Sequence, residues 1–134
     1  MASIETIEGI GAKYATKLRK ARVRTTESLL KRGETRKGRD ELAEETGFSS
    51  HQILEWVNRA DLMRVKGVGE EYSDLLEAAG VDTVKELRNR NSANLLAKMV
   101  EVNEQKRLVR RLPTLSMVDR WVAHAKELPP VVKY

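Results

Sequence analysis

The 134-residue sequence contains no cysteine and few aromatic residues, and both absences narrow what the chain can be. Without cysteine, disulfides, thiolate metal ligands and cysteine nucleophiles are excluded. Aromatic residues make up 4% of the chain, and β-branched residues do not cluster in alternating runs, which argues against a fold built on β-sheets. Because no apolar run approaches the length of a signal peptide or membrane span, we expect a cytoplasmic protein with no membrane partner.

Residues that favour helices dominate the composition, and 34% of the chain is charged. The sequence therefore predicts an all-α protein. Gly47 is predicted to end one helix, and Ser49 with Gln52 forms a capping box that opens the next. Pro113 separates a predicted basic helix from the last helix. We expect residues 131–134 to be extended and to lie on the body of the protein.

The charges are segregated along the chain. Residues 13–39 hold eleven Lys and Arg against two Glu, a net charge of +9. Residues 40–87 carry a net charge of −8, and residues 88–111 carry +5. A solvated surface without a partner more often mixes its signs, so this pattern favours a charged partner.

The chain also repeats itself. Ile7–Gly11 returns as Val65–Gly69 at an offset of 58 residues, and Trp56 matches Trp121 at an offset of 65. The repeat predicts two units related by internal duplication, 1–64 and 65–134, packed as one compact domain. Further matches at the first offset are Tyr14 with Tyr72, Leu18 with Leu76, Ala21 with Ala79, Val23 with Val81, Thr25 with Thr83 and Leu29 with Leu87.

The segments Ile7–Leu18 and Val65–Leu76 resemble the helix-hairpin-helix motif, apolar-x-Gly-apolar-Gly-x-x-x-Ala-x-x-Leu. The whole chain is similar to a family of small stand-alone bacterial and archaeal proteins with duplicated helix-hairpin-helix units and no assigned function. The resemblance implies binding to the nucleic-acid backbone without sequence readout, and it leaves open a monovalent cation at either hairpin. The residues that carry the motif are Gly9, Gly11, Ala15 and Leu18 in the first copy, and Gly67, Gly69, Ser73 and Leu76 in the second.

The two glycines of each motif permit a tight reversal and expose backbone N–H groups at a helix N-terminus, which suits a phosphate. The first hairpin lies in the basic block, so we predict non-sequence-specific DNA binding there, with RNA as the second possibility. Only residues 1–6 precede it, so its leading helix is one turn at most. The predicted binding residues are Gly9, Ile10 and Gly11 through their amides, and Lys13, Lys17, Lys20 and Arg24 through their side chains.

The second hairpin is predicted to be structural, because carboxylates follow it and would repel a phosphate. Its turn residues are Gly67, Val68 and Gly69, and the carboxylates are Glu70, Glu71, Asp74 and Glu77. A full leading helix, from Ser50 to about Met63, precedes it. A second basic run either extends the binding surface or is an exposed helix face; its residues are Lys106, Arg107, Arg110 and Arg111.

The alternative function is a protein-interaction module or an oligomeric scaffold with no nucleic-acid role, in which charged blocks dock complementary partners or a second copy.

Helix-turn-helix spacing around Gly47 is better explained by two packed helices. The tyrosine and tryptophan pairs are expected in the core. His51 and His124 are isolated, so no metal site is predicted. Nothing in the sequence indicates an enzyme, a cofactor or a small-molecule substrate.

Overall fold

The computed structural model describes residues 2–134, and the regular structure in that part of the chain is helical, which confirms the all-α prediction. A short 3-10 turn, Ile4–Thr6, precedes the helices, and its neighbour Ser3 forms an isolated bridge with Thr25. The eight α-helices of these residues are α1 (Ala12–Lys20), α2 (Thr26–Gly33), α3 (Arg36–Thr46), α4 (Ser50–Leu62), α5 (Glu70–Ala78), α6 (Val84–Leu87), α7 (Ser92–Lys106) and α8 (Leu115–Glu127).

The chain divides into two compact units. Unit 1 consists of the residues up to Asp61 together with Val131–Tyr134, and unit 2 consists of Leu62–Pro130. The division falls three residues before the predicted one, and the last four residues lie with unit 1 although the repeat placed them in the second copy. The packing of both units as one domain stays a prediction.

Polar side chains and glycines define the helix ends. Thr25 and Ser28 form a reciprocal capping box at the start of α2. Ser49 and Gln52 form the predicted one before α4, since each side chain accepts the backbone N–H of the other. Gly47 ends α3 in the left-handed conformation, at φ 82°, as predicted.

The core of unit 1 is built from the apolar faces of its helices. Helix α1 buries Ala15 and Leu18, and α2 packs against α3. The 3-10 turn contributes Ile4, which is fully buried. The other large buried apolar side chains of the unit are Ile7, Ile10, Val23, Leu29, Leu30, Leu42, Phe48, Ile53, Trp56 and Val57.

The C-terminal tail, Val131–Tyr134, was predicted to lie on the body of the protein, and it lies on unit 1. The N–H of Lys133 donates to the carbonyl of Glu34 at 2.7 Å, and the carbonyl of Lys133 accepts from Arg39 Nη2 at 2.8 Å. Arg39 is 4% exposed and also donates to the carbonyl of Gly33 at 2.9 Å. Burial lowers the pKa of this guanidinium from its usual value. The tail thus satisfies a buried charge.

The core of unit 2 lies between α5, α6, α7 and α8, where α7 contacts both α5 and α8. Trp121 of α8 is 2% exposed at its centre. The prediction of a basic helix before Pro113 is only partly right. Helix α7 ends at Lys106, Arg107 adopts a left-handed conformation, and Arg110 with Arg111 lies in the loop that follows.

Candidate functional site

Two glycine turns with nearly the same backbone precede α1 and α5. We call Ile7–Gly11 the first glycine turn and Val65–Gly69 the second. Their first glycines are left-handed, at φ +94° for Gly9 and +92° for Gly67. In each turn the N–H of the fourth residue donates to the carbonyl of the first, at 3.1 Å and 3.0 Å respectively. Both turns therefore reverse the chain in the same way.

A buried tryptophan lies against the left-handed glycine of each turn. A Cβ atom at Gly9 would lie 3.4 Å from Trp56 Nε1, and one at Gly67 would lie 3.1 Å from Trp121 Nε1. Both tryptophans are in the core, as predicted. The positive φ favours glycine at both positions, and at Gly67 the 3.1 Å approach of Trp121 also leaves little room for a side chain.

The amides of the first glycine turn are not all available to a ligand. Ile10 was predicted as a donor, but its N–H is engaged with the carbonyl of Ile7 and its side chain is 3% exposed. Gly9 and Gly11 are exposed, and Gly11 begins α1 without a side-chain cap. The N–H groups in the first turn of α1 have no acceptor within the helix, so the open donors lie there.

Helix α1 carries three of the four predicted basic side chains on one face. Lys13, Lys17 and Lys20 are exposed and follow one another at spacings of four and three residues. At 3.6 residues per turn this basic stripe lies opposite the buried Ala15 and Leu18. The stripe runs along the whole solvent side of α1 from the open N-terminus.

The fourth predicted side chain, Arg24, lies apart from the stripe. It is exposed in the connection between α1 and α2, where its carbonyl accepts the N–H of Ile4 at 3.2 Å. This bond places Arg24 beside the segment that leads into the first glycine turn. Arg19, also on α1, forms an ion pair with Glu5 at 3.6 Å, which offsets part of its charge.

Sequence reasoning missed a cation beside the first glycine turn. Arg59 of α4 donates through Nη1 to the carbonyl of Glu8 at 2.7 Å. At the equivalent place in unit 2, the N–H of Lys66 donates to His124 Nδ1 at 3.0 Å. The 65-residue offset that matches the tryptophans also matches Arg59 with His124, and this signal could have identified the residue.

The tyrosines that follow the turns differ in exposure. Tyr14 packs on Phe48 and Trp56, with ring centroids at 5.1 and 5.9 Å, but 37% of it is exposed. Tyr72 packs on Trp121 at 5.1 Å and is less exposed. The core prediction therefore describes Tyr72 better than Tyr14, whose ring borders the surface near the start of α1.

The second glycine turn has the opposite electrostatic surroundings. Gly67 and Gly69 are exposed, and Val68 is buried. Helix α5 begins with the exposed carboxylates Glu70 and Glu71, whereas α1 has no acidic residue in its first turn. Acids at a helix N-terminus offset its partial positive charge, so α5 is electrostatically satisfied where α1 is not.

Residues 2–134 contain neither a metal-binding cluster nor a membrane-spanning helix. No group of three or more His, Asp or Glu side chains there is arranged to hold a metal ion. Across the same residues, no helix combines the length and the apolar character that crossing a membrane requires.

Comparison with known proteins identifies a family. A family model described as a domain of unknown function, DUF4332, matches residues 8–128. No solved structure matches the chain.

Proposed function

We propose that this protein, which belongs to the DUF4332 family of domains of unknown function, binds the phosphate backbone of DNA through unit 1 without reading base sequence. The N-terminus of α1 is the observation that carries the proposal. It has no side-chain cap and no acid in its first turn, and Lys13 stands there instead. This arrangement is unfavourable for an isolated helix and favourable for a bound anion.

The basic stripe extends that site along α1. Lys17 and Lys20 continue from Lys13 on the solvent side, and Arg59 adds a cation beside the turn. Contacts of this kind reach phosphate oxygens and not base edges, so they give affinity without sequence specificity. Duplex RNA presents the same chemical group and is the second ligand to test.

The proposal includes an origin for the two units, namely duplication of one helix-hairpin-helix unit. Three local features recur and support it: the left-handed glycine, the tryptophan beneath it, and the uncapped helix start after the second glycine. On this proposal both copies have the same glycine turn, and the first copy also has the basic side chains that bind DNA.

The direct test is a fluorescence-anisotropy titration of two unrelated duplexes of about 20 base pairs, at salt concentrations from about 50 to 200 mM. We expect equal affinities for both sequences, and a slope of log K against log salt of about −3 to −4, for roughly four neutralised phosphates. Lys13→Glu with Lys17→Glu should weaken binding at least about 50-fold, because two contacts become repulsive.

The matched control is Lys31→Glu with Lys37→Glu, which makes the same change in net charge at exposed positions of unit 1 outside α1. We expect a loss of less than about fivefold, since these charges act through screened, long-range attraction. Equal losses in the two double variants, or an affinity that does not respond to salt, would contradict the proposal.

A second candidate function, protein interaction, is favoured by one feature of unit 2. The hydroxyl of Tyr72 donates to the carbonyl of Arg111 at 3.0 Å, which places the loop with Leu112 beside α5. Leu112, the next residue of that loop, is 39% exposed. An exposed apolar side chain in a polar loop is suited to contact a protein partner. A light-scattering mass with Leu112→Asp as the comparison would detect self-association.

A further inference from the structure

Helix α1 ends at a basic groove in unit 1 that the sequence did not reveal. The groove has a volume of about 560 Å³. Its cations are Lys17, Lys20, Arg22 and Arg32, and its one carboxylate is Glu45. Arg32 is held in place, because its guanidinium donates to the carbonyl of Ala21 and to Glu45, both at 3.0 Å. Three of the four cations are not paired with that carboxylate.

Arg22 occupies a backbone position that normally belongs to glycine. The N–H of Val23 donates to the carbonyl of Leu18 at 2.9 Å, and the N–H of Arg22 donates to that of Arg19 at 2.9 Å. These two bonds form a Schellman motif, in which the residue after the helix end is left-handed. Arg22 is left-handed at φ 66°. Such strain in a residue with a Cβ atom is concentrated at functional sites.

Unit 2 makes the same helix end with a glycine and without the matching cations. Gly80 stands where unit 1 has Arg22, with φ +95°, and the N–H of Val81 donates to the carbonyl of Leu76. The 58-residue offset matches Lys17 with Leu75 and Lys20 with Ala78. The turn itself therefore does not need an arginine, and three of the four cations distinguish unit 1.

We propose that this groove holds a second phosphate of the same nucleic-acid backbone, which then runs along α1 from the first glycine turn to Arg22. The inference rests on the proposed function. Lys17 and Lys20 belong both to the stripe and to the groove, so the positive surface is continuous. A helix of this length spans about 13 Å, which corresponds to roughly four phosphates of one strand along a duplex axis.

The test is Arg22→Gly, which restores the residue that the left-handed position favours and therefore keeps the fold. We expect its melting temperature to be unchanged or raised, while its DNA affinity falls about five- to tenfold and the salt slope loses about one unit. Arg107→Gly is the matched control, because Arg107 is the other non-glycine residue of the described chain with a positive φ. It removes the same charge from unit 2, and we expect a change of less than about twofold.

The outcomes separate the groove from the first glycine turn. If both glycine variants bind DNA like wild type while Lys13→Glu, which lies on the stripe outside the groove, weakens binding at least about tenfold, the groove is wrong and the proposed function stands. If wild type does not bind DNA, the proposed function fails first. A competition experiment with inorganic pyrophosphate, at constant ionic strength, tests whether the groove binds a free anion instead. If Arg22→Gly loses pyrophosphate binding and keeps DNA binding, the groove takes a free anion, which overturns the inference.

Discussion

The two units reverse the chain with the same glycine turn, but they surround it with opposite charges. Both helix starts lack a side-chain cap, but unit 1 follows its turn with Lys13 and places Arg59 beside it. Unit 2 follows its turn with Glu70 and Glu71. The backbone geometry of the turn is therefore common to both units, and the side chains around it decide whether it can attract a phosphate.

The same contrast appears at the other end of the helix. Unit 2 has the low-strain residue Gly80, whereas unit 1 holds Arg22 in a conformation that costs about 1–2 kcal/mol. The start of α1 is therefore unfavourable for helix stability in its electrostatics, and its end is unfavourable in its backbone conformation. In both places the unfavourable residue adds positive charge. Unit 2 stays close to the optimum in both respects at the ends of α5.

The largest expected effect on stability concerns the tail, which belongs to unit 1 alone. Deletion of residues 131–134 removes the carbonyl that accepts from Arg39 Nη2 and the N–H that donates to Glu34. We expect the free energy of unfolding to fall by about 2–3 kcal/mol, because a buried charge loses a partner. Urea unfolding measures the loss, and hydrogen exchange by mass spectrometry locates it.

Exchange should accelerate in α2 and α3 more than in α5, since the contacts that are lost lie in unit 1. Lys133→Ala is the control, because it keeps the backbone groups that make these bonds, and we expect it to change stability by less than about 0.5 kcal/mol. A deletion that accelerates exchange mainly in α5 would show that the tail does not stabilise unit 1.

The next largest effect on stability is expected at the left-handed glycines of the two turns. Gly67→Ala should destabilise the protein by about 1–2 kcal/mol, because alanine resists a positive φ and its Cβ would press on Trp121. Gly9→Ala should cost slightly less, since Trp56 lies farther away. Urea unfolding of both variants provides the comparison. A stability equal to wild type in either one would contradict the shared geometry of the two turns.

The second glycine of each turn separates stability from binding. Gly11 and Gly69 have negative φ angles, and a Cβ atom added at either position would meet no atom within 4 Å. We expect alanine at either position to cost the same, less than about 1 kcal/mol. Only Gly11→Ala should also weaken DNA binding, because the added methyl group obstructs the approach of a phosphate. Equal DNA affinities of the two variants would remove the functional difference between the turns.

Much of the helical architecture could be predicted from the sequence, because it depends on local signals. Periodic apolar residues and capping side chains mark α3 and α4 without reference to the rest of the chain. The prediction of a basic helix before Pro113 was partly wrong because it used only local composition. Basic composition continues through Arg111, but the helix ends at Lys106, where Asn103 turns its side chain to bond the backbone of Val109.

The candidate site was less predictable, because hydrogen bonds across the fold decide which groups are free. The pattern of the first glycine turn could not show that the Ile10 amide is engaged with Ile7. Charge counting gave Arg39 the same weight as Lys13, although Arg39 is buried and binds the tail. The repeat did contain the signal for Arg22, since the offset that pairs the turns also pairs this residue with Gly80.

The smallest effect is also the most discriminating, because it has opposite signs in the two units. Lys13 and Glu71 occupy equivalent positions in the first turns of α1 and α5. Lys13→Glu should stabilise the protein by about 0.3–1 kcal/mol, since a carboxylate favours a helix N-terminus and gains an i,i+4 partner in Lys17. Glu71→Lys should destabilise it by a similar amount.

DNA affinity should follow the charge and not the stability. Lys13→Glu, the more stable variant, should bind at least about tenfold more weakly, whereas Glu71→Lys should bind within about threefold of wild type. Both stability changes should shrink at about 1 M salt, where the Debye length falls to about 3 Å. Thermal unfolding and anisotropy titration on the same two samples decide the matter. If Lys13→Glu gained stability and kept its DNA affinity, the open start of α1 would be a tolerated imperfection of the helix and not a phosphate site.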